Sequence, residues 1–272
     1  MGADGVKGKL VALRRSLRGM EGAVVAFSGG VDSTFLLQVA HEELGARCIA
    51  ATAISPIRTQ AETRGAEEMA GRLGARWEPL TTSELVMEEF IANSPERCYY
   101  CKRELFGQLK ALGEKLGISQ VIDGSNHDDL KDHRPGSRAA KELGVQSPLQ
   151  AVGLTKTEIR ALSQELGLPT WDKPSMACLA SRIPYGSPIT LAKLTQVAEG
   201  EAFLRRCGFG QVRLRHHGEI ARLEVPQGEM DRVIDLGPEI ASKLKELGFL
   251  YVALDLEGYR SGSLNASLGR NG

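Results

Sequence analysis

The sequence predicts an α/β fold in two parts, a parallel-sheet nucleotide-binding domain and a smaller C-terminal α/β domain. Three observations carry this. Short continuous apolar runs alternate with segments of helical period, the pattern of parallel strands covered by helices on both faces. A glycine-rich turn, Ser28-Gly29-Gly30-Val31-Asp32-Ser33, follows the first apolar run and opens a helix. A stretch from Gly167 to Pro188 with four prolines and little periodicity then interrupts the pattern before shorter elements resume.

Lys7 to Leu17 reads as an amphipathic helix, and Ala23 to Phe27 as a strand buried on both faces. Helical period returns from Val31 to Leu44 and from Thr59 to Leu73. Between these lies a second apolar run, Cys48 to Ile54, and Arg76 to Leu80 forms a third. Cys101 to Leu116 reads as a helix, Val121 to Asp123 as a short strand, and Asp128 to Leu149 as a polar, loop-rich stretch. Thr155 and Glu158 stand at capping-box spacing before a helix that runs to Leu166. Beyond the prolines come a helix (Leu191 to Cys207) and strands at Gln211 to Arg215 and Ala221 to Val225. Two helices within Gln227 to Leu247 and a strand from Phe249 to Leu254 close the unit. The expected division is therefore 1–170 for the nucleotide-binding domain, 171–188 for linker and active-site loop, 189–258 for the small domain and 259–272 for a flexible tail.

The 272 residues carry 34 basic and 34 acidic side chains, so the overall phosphate attraction of most nucleic-acid binders is missing. No leader or spanning apolar run is visible, and a cytoplasmic protein is expected, with no membrane association. Five cysteines suit reduced thiols rather than a disulfide framework, which turns attention to their reactivity and metal affinity.

The glycine-rich turn has the chemistry of a phosphate site. Its glycines let backbone N–H groups curl toward an anion, and the helix start adds partial positive charge. Ser28 and Ser33 offer hydroxyls, while Asp32 makes sense beside phosphate if a magnesium ion lies between. The Walker lysine is absent, and an ordinary strand-to-helix glycine turn, the reading a lone Gly-Gly would receive, is the alternative that this six-residue string in this place disfavours. At these residues the chain resembles the PP-loop ATP pyrophosphatases, with their adenine nucleotide α-hydrolase-like fold. The resemblance implies cleavage of ATP between the α- and β-phosphates, leaving AMP on the substrate. It also implies that Ala53-Ile54-Ser55 lies beside the adenosine and that Asp123-Gly124-Ser125-Asn126-His127-Asp128-Asp129 is a later nucleotide motif, with Gly124, Asn126 and Asp128 in the site. A capped helix start, with Asn126 or Asp128 as the cap, is the other reading of that motif.

Cys98 and Cys101 form a C-x-x-C pair, with Cys178 far downstream. Three thiolates can hold three irons of a 4Fe–4S cluster. Zinc (with His127 or His133 folding in), a redox pair, or three inert buried thiols are the other readings, and the last is the one given to Cys48 and Cys207. The surrounding words, Asn93 to Lys102, Arg134-Pro135-Gly136, and Pro174 through Arg182 to Tyr185-Gly186, resemble the LarE family of sulfur-inserting enzymes in nickel-pincer nucleotide assembly. The likeness is collinear from the phosphate loop to about Leu254. It implies a pyridinium dicarboxylate mononucleotide substrate whose carboxylates are adenylated and become thiocarboxylates, in the service of lactate racemase maturation. Sulfur comes in some members from the cysteine matching Cys178, which becomes dehydroalanine. In three-cysteine members it comes from sulfide on the open iron of a cluster. Cys98 and Cys101 place this chain with the second group without excluding the first.

Ser181 and Arg182, just beyond Cys178, are candidates to orient substrate or AMP, although Arg182 reads equally as a surface arginine. Alternation in Gln211 to Arg215 projects Arg213 and Arg215 from one face of a strand while Val212 and Leu214 face the core. Two guanidiniums suit the substrate's phosphate, and a solvated polar face is the other reading. The family likeness favours phosphate, suggests that Glu201 and Asp231 join the site, and implies a homo-oligomer and other cofactor-assembly proteins as partners. The rivals are a PP-loop tRNA-thiolating enzyme, a PP-loop amidotransferase or ligase, and a nucleotide- or metal-sensing module without catalysis. The first is disfavoured by the neutral charge, and the second leaves the three cysteines unemployed.

Overall fold

A computed structural model of the chain describes residues 3–131, 135–174, 177–260 and 262–264. In chain order the first elements are α1 (Ala3–Arg18), β1 (Ala23–Ala26), α2 (Val31–Leu44), β2 (Cys48–Ile54), α3 (Gln60–Arg72) and β3 (Arg76–Thr81). Next come α4 (Glu88–Ile91), α5 (Arg97–Leu116), β4 (Val121–Ile122), α6 (Pro135–Glu142), α7 (Pro148–Ala151) and α8 (Lys156–Glu165). The remainder is α9 (Leu191–Arg206), β5 (Arg213–His217), β6 (Ile220–Glu224), α10 (Met230–Asp235), α11 (Gly237–Glu246) and β7 (Tyr251–Leu254). Among the described residues no helix is long and apolar enough to cross a membrane. The chain forms two compact units, Met1–Glu84 with Glu96–Met176, and Leu85–Pro95 with Ala177–Gly272.

The first unit is built on a parallel sheet of order β3-β2-β1-β4. Strand periodicity divides its core. Ala23 and Val25 join the cluster containing Leu13, Leu17, Phe35, Leu36 and Leu162, while Val24 joins the cluster containing Phe106, Leu109 and Ala139. Burial on both faces is why β1 reads as an unbroken apolar run, whereas the edge strand β3 is largely exposed and carries Arg76 and Glu78. β1 is flanked by β2 on one side and β4 on the other, so the strand order reverses at its carboxyl end. Open α/β sheets bind ligands at such a point, and Ser28 to Ser33 occupies it.

Two readings need correction here. The stretch 128–149 is not simply loop, since it holds α6 and the single turn α7. Helix α6 begins with a proline, where the missing N–H costs nothing, and buries the small residues Ala139 and Ala140. The helix expected from Cys101 begins at Arg97, which puts Cys98 in its first turn and Cys101 one turn later.

In the second unit β5 and β6 pair antiparallel and β6 and β7 parallel, with buried Leu194, Leu204, Leu214, Leu223, Leu244 and Phe249. Residues 85–95, read from sequence as part of the first domain, belong here. Asn93 explains the attachment. It is fully buried with a left-handed φ of 53°, which asparagine tolerates, and its side-chain amide donates to the carbonyls of Ile183, Pro184 and Ser187 at 3.3, 2.8 and 2.8 Å. The supposed tail also begins as structure, because Tyr259 N donates to Val225 O at 2.8 Å and Ser263 Oγ accepts from Arg215 at 2.7 Å.

Candidate active site

The phosphate loop is braced by its own side chains. Gly29 adopts a left-handed φ of 69°, and an added Cβ would meet the Ala66 backbone at 3.1 Å, so glycine is required there. The Ser28 and Ser33 hydroxyls lie 2.9 Å apart, and Ser28 Oγ accepts from Gly30 N at 3.3 Å. Gly30 caps α2, leaving the first N–H groups of that helix directed at the loop. Gly124, at the end of β4, passes so close that a Cβ there would sit 3.0 Å from Ser33 N. The second motif is thereby pressed against the first.

Within that motif Asn126 Nδ2 reaches Asp32 Oδ1 at 3.4 Å. Asn126 Oδ1 accepts from Asp128 N at 2.9 Å, and Asp128 Oδ2 accepts from Lys156 N at 2.8 Å. The capped-turn reading of this segment and its place beside the loop therefore hold together. At the end of β2, Ser55 is buried and donates to Glu84 Oε2 at 2.6 Å. Glu84 also accepts from Thr82 Oγ1 and, at 3.8 Å, from Cys101 Sγ.

Three cations that the sequence did not single out surround the loop. Lys156 Nζ lies 2.5 Å from Asp32 Oδ2, Lys173 Nζ donates to Gly29 O at 2.8 Å, and Arg58 Nη2 donates to Ser28 O at 2.8 Å. Burial holds the Lys173 amine below its ordinary value, and nearby Arg58 lowers it further against the opposing pull of Glu62. The signal for Lys156 was its position one residue after the capping-box Thr155. Nothing in the sequence marked Lys173 or Arg58.

Cys98 is exposed and Cys101 half-buried, one helical turn apart at the start of α5 and so on one side of it. Cys178 belongs to the second unit and is half-buried. No cluster of three or more histidine, cysteine or carboxylate groups poised for a metal occurs among the described residues. His133, Arg134, Ser175 and Met176, parts of the motifs read from sequence, lie outside the described residues. Cys48 is inert, its thiol pushed up to about 12 by burial in β2.

The second unit gathers Ser181, Arg182, Arg213 and Arg215 around two buried glutamates. Arg182 is 2% exposed, which corrects its reading as a surface residue, and it donates through Nε and Nη2 to Glu201 at 2.7 and 3.1 Å. Its Nη1 also reaches Cys178 O at 3.1 Å and Ser181 Oγ at 2.9 Å. Arg215 grips both oxygens of Glu224 at 2.9 and 2.7 Å and donates to Ser181 O at 2.8 Å. Strand β5 is therefore not half-solvated. Val212, Arg213, Leu214 and Arg215 are all buried, because Glu201 and Glu224 offset the charges inside. Arg213 stacks over Tyr259 at 5.2 Å, and burial followed by Arg182 lowers its affinity for its proton. Asp231 lies exposed on α10.

Comparison with known proteins now gives this geometry a family. No protein-family model matches the chain. It is 45% identical over 266 residues to the uncharacterized protein slr1717 of Synechocystis sp., covering 97% of this chain and 99% of that one. It is 38% identical over 261 residues to the pyridinium-3,5-bisthiocarboxylic acid mononucleotide synthase of Lactiplantibacillus plantarum, covering 96% and 95%. The chain belongs to the LarE family. A more distant likeness, 28% over 211 residues, links 67% of it to 39% of a GMP synthase from Aeropyrum pernix. The LarE-family chain thus carries a PP-loop ATP pyrophosphatase fold and is an ATP-dependent sulfurtransferase.

Proposed function

We propose that the chain adenylates the carboxylates of pyridinium-3,5-biscarboxylic acid mononucleotide and converts them to thiocarboxylates in nickel-pincer nucleotide synthesis. The observation that carries this is the near full-length identity with a bisthiocarboxylic acid mononucleotide synthase, together with an open phosphate loop at the strand-order reversal. A substrate carboxylate oxygen attacks the α-phosphorus of ATP. The bond from that phosphorus to the bridging oxygen breaks, and its electron pair leaves with pyrophosphate. Ser28, Gly29, Gly30 and Ser33 bind the phosphates by backbone N–H and hydroxyl groups. Asp32 is the magnesium ligand, Ala53 and Ser55 border the adenosine, and Gly124, Asn126 and Asp128 shape the site's other wall.

Sulfur then enters at the acyl carbon and AMP leaves. In one route the Cys178 thiolate attacks, and cleavage of its Cβ–S bond with loss of the α-proton leaves thiocarboxylate and dehydroalanine. In the other, Cys98, Cys101 and Cys178 hold a 4Fe–4S cluster. Three thiolates are the donors that three irons of such a cluster need, and when bound the cluster would supply a renewable sulfur source. Arg215, fixed by Glu224, and Arg213, stacked over Tyr259, bind the substrate phosphate, and Ser181 and Arg182 orient the segment carrying Cys178. A homo-oligomer and contact with other proteins of cofactor assembly complete the proposal.

Pyrophosphate release tests the first half. The expected result is release that requires the biscarboxylic acid mononucleotide, and ATP cleavage indifferent to that substrate would refute it. Anaerobic reconstitution then separates the sulfur sources. About four irons per chain, lost in Cys98→Ala, Cys101→Ala and Cys178→Ala, supports the cluster. Absence of iron supports the sacrificial cysteine.

A further inference from the structure

Glu84, in the turn after β3, is only 2% exposed, and every donor it meets among the described residues is neutral. Keeping a carboxylate from water without a counter-charge is costly, so hydroxyl and thiol donors alone hold it there. Its two oxygens face different residues. Oε2 accepts from Ser55 Oγ at 2.6 Å, Oε1 accepts from Cys101 Sγ at 3.8 Å, and Thr82 Oγ1 bridges the two at 3.0 and 2.9 Å. Resting on the reading of the first unit as the site of ATP cleavage, we propose that Glu84 is a positioning residue joining that site to the cysteines. It holds the Cys101 thiol and, through Ser55, makes that thiol respond to a filled adenosine pocket.

The backbone sets this link. Thr82 N donates to Ile54 O at 3.2 Å, which carries the pairing of β2 and β3 one residue past Thr81 and brings Thr82 beside the end of β2. Ser55 Oγ accepts from Ile57 N at 3.4 Å, and its single proton goes to Glu84. Adenosine that packs on the end of β2 therefore acts on a hydroxyl already bonded to the carboxylate. A carboxylate is planar and rigid, so any turn that moves Oε2 moves Oε1, and the Cys101 thiol on that oxygen follows. Cys101 itself stands on the 20-residue helix α5, whose backbone bonds confine the response to the side chain. Ser55, Thr82, Glu84 and Cys101 all belong to the first unit, so the link needs no contact between units.

The test follows the S–H stretching band of Cys101 in the infrared, in the full-length chain kept reduced and free of metal. Loss of the band in Cys101→Ala identifies it, and AMP is the probe of the adenosine pocket. Glu84→Gln keeps the side-chain shape but offers a weaker acceptor, so the band is expected to move to higher frequency, as an S–H group does when its hydrogen bond weakens. Saturating AMP shifts the band in the wild type and not in Ser55→Ala, where Glu84 still holds the thiol. Coupling is reciprocal, so Cys101→Ala should change AMP affinity about 5-fold or more by calorimetry, and should leave it unchanged when Glu84→Gln is already present. A band unmoved by Glu84→Gln overturns the assignment. So does an AMP shift of full size in Ser55→Ala, which would mean that the nucleotide meets the thiol directly. A wild-type chain that binds no AMP refutes instead the reading of the loop, and the band in Glu84→Gln still decides whether the carboxylate holds Cys101.

Discussion

Charged side chains are used in opposite ways in the two units. Around the phosphate loop the cations rest on partners they can leave, a peptide carbonyl for Lys173 and a part-exposed carboxylate for Lys156. In the second unit Arg182 and Arg215 are held by Glu201 and Glu224, both fully buried. Exchangeable partners suit a site whose ligand arrives with four charged oxygens and departs in two pieces. Fixed partners suit a site that must present guanidiniums in one geometry, because a buried carboxylate both orients an arginine and prevents it from turning away. Arginine on a strand and lysine near a loop are similar in sequence, and the partners decide which device each belongs to.

Substitutions sharpen this contrast, from large effects to small. Glu224→Ala leaves Arg215 buried without its counter-charge and is expected to cost about 3–5 kcal/mol in thermal or urea unfolding. A change below about 1 kcal/mol would show that the second unit is as adaptable as the first. Arg213→Ala should weaken binding of the biscarboxylic acid mononucleotide about 10- to 100-fold while leaving ATP binding intact, and unaltered substrate affinity would remove Arg213 from the site. Asn93→Ala strips amide donors from three carbonyls and should cost about 1–3 kcal/mol, read by the same unfolding measurement. Lys156→Met breaks an ion pair whose side chains are 31% and 23% exposed. It should therefore cost no more than about 1 kcal/mol of stability even as it impairs nucleotide binding.

Acidity gives the smallest effect and acts on the second unit. Burial lowers the pKa of His216 and of His217, with Lys193 adding to the first and Arg222 to the second. The unfolded chain then binds protons more readily than the folded one, so stability rises with pH in this window. The contribution is unchanged above the unfolded value of about 6.5 and becomes a penalty as pH falls below it. Melting temperature should drop on acidification, and a His216→Gln/His217→Gln variant should show a shallower slope. An identical slope in that variant would assign the acid sensitivity to carboxylates.

The strands β1 and β2 were legible because they are buried on both faces, with the buried Thr52 as the one polar residue among them. The glycine turn was legible for a related reason, since a left-handed Gly29 and a close approach at Gly124 leave little freedom of residue type. Helix α6 escaped notice because Gly136, Ser137, Ala139 and Ala140 make no apolar stripe, even though two of them are buried. The face of β5 was misjudged because the glutamates that permit buried arginines lie on α9 and β6, where no local pattern points to them. Lys156 and Lys173 were invisible as a pair because the contact between them runs through Arg160 and two backbone carbonyls. C-x-x-C spacing declared Cys98 and Cys101, whereas the carboxylate beside Cys101, Glu84, comes from the turn after β3.

The most direct measurement follows the proposed substrate. The anaerobically prepared chain is incubated with magnesium ATP, a sulfur donor and pyridinium-3,5-biscarboxylic acid mononucleotide, and the products are weighed by mass spectrometry beside those of Cys178→Ala. Stepwise exchange of one carboxylate oxygen for sulfur, matched by one pyrophosphate and one AMP per exchange and absent from the variant, is the predicted result. A product in which ATP is cleaved but oxygen is retained, or full thiolation by Cys178→Ala, would contradict the account.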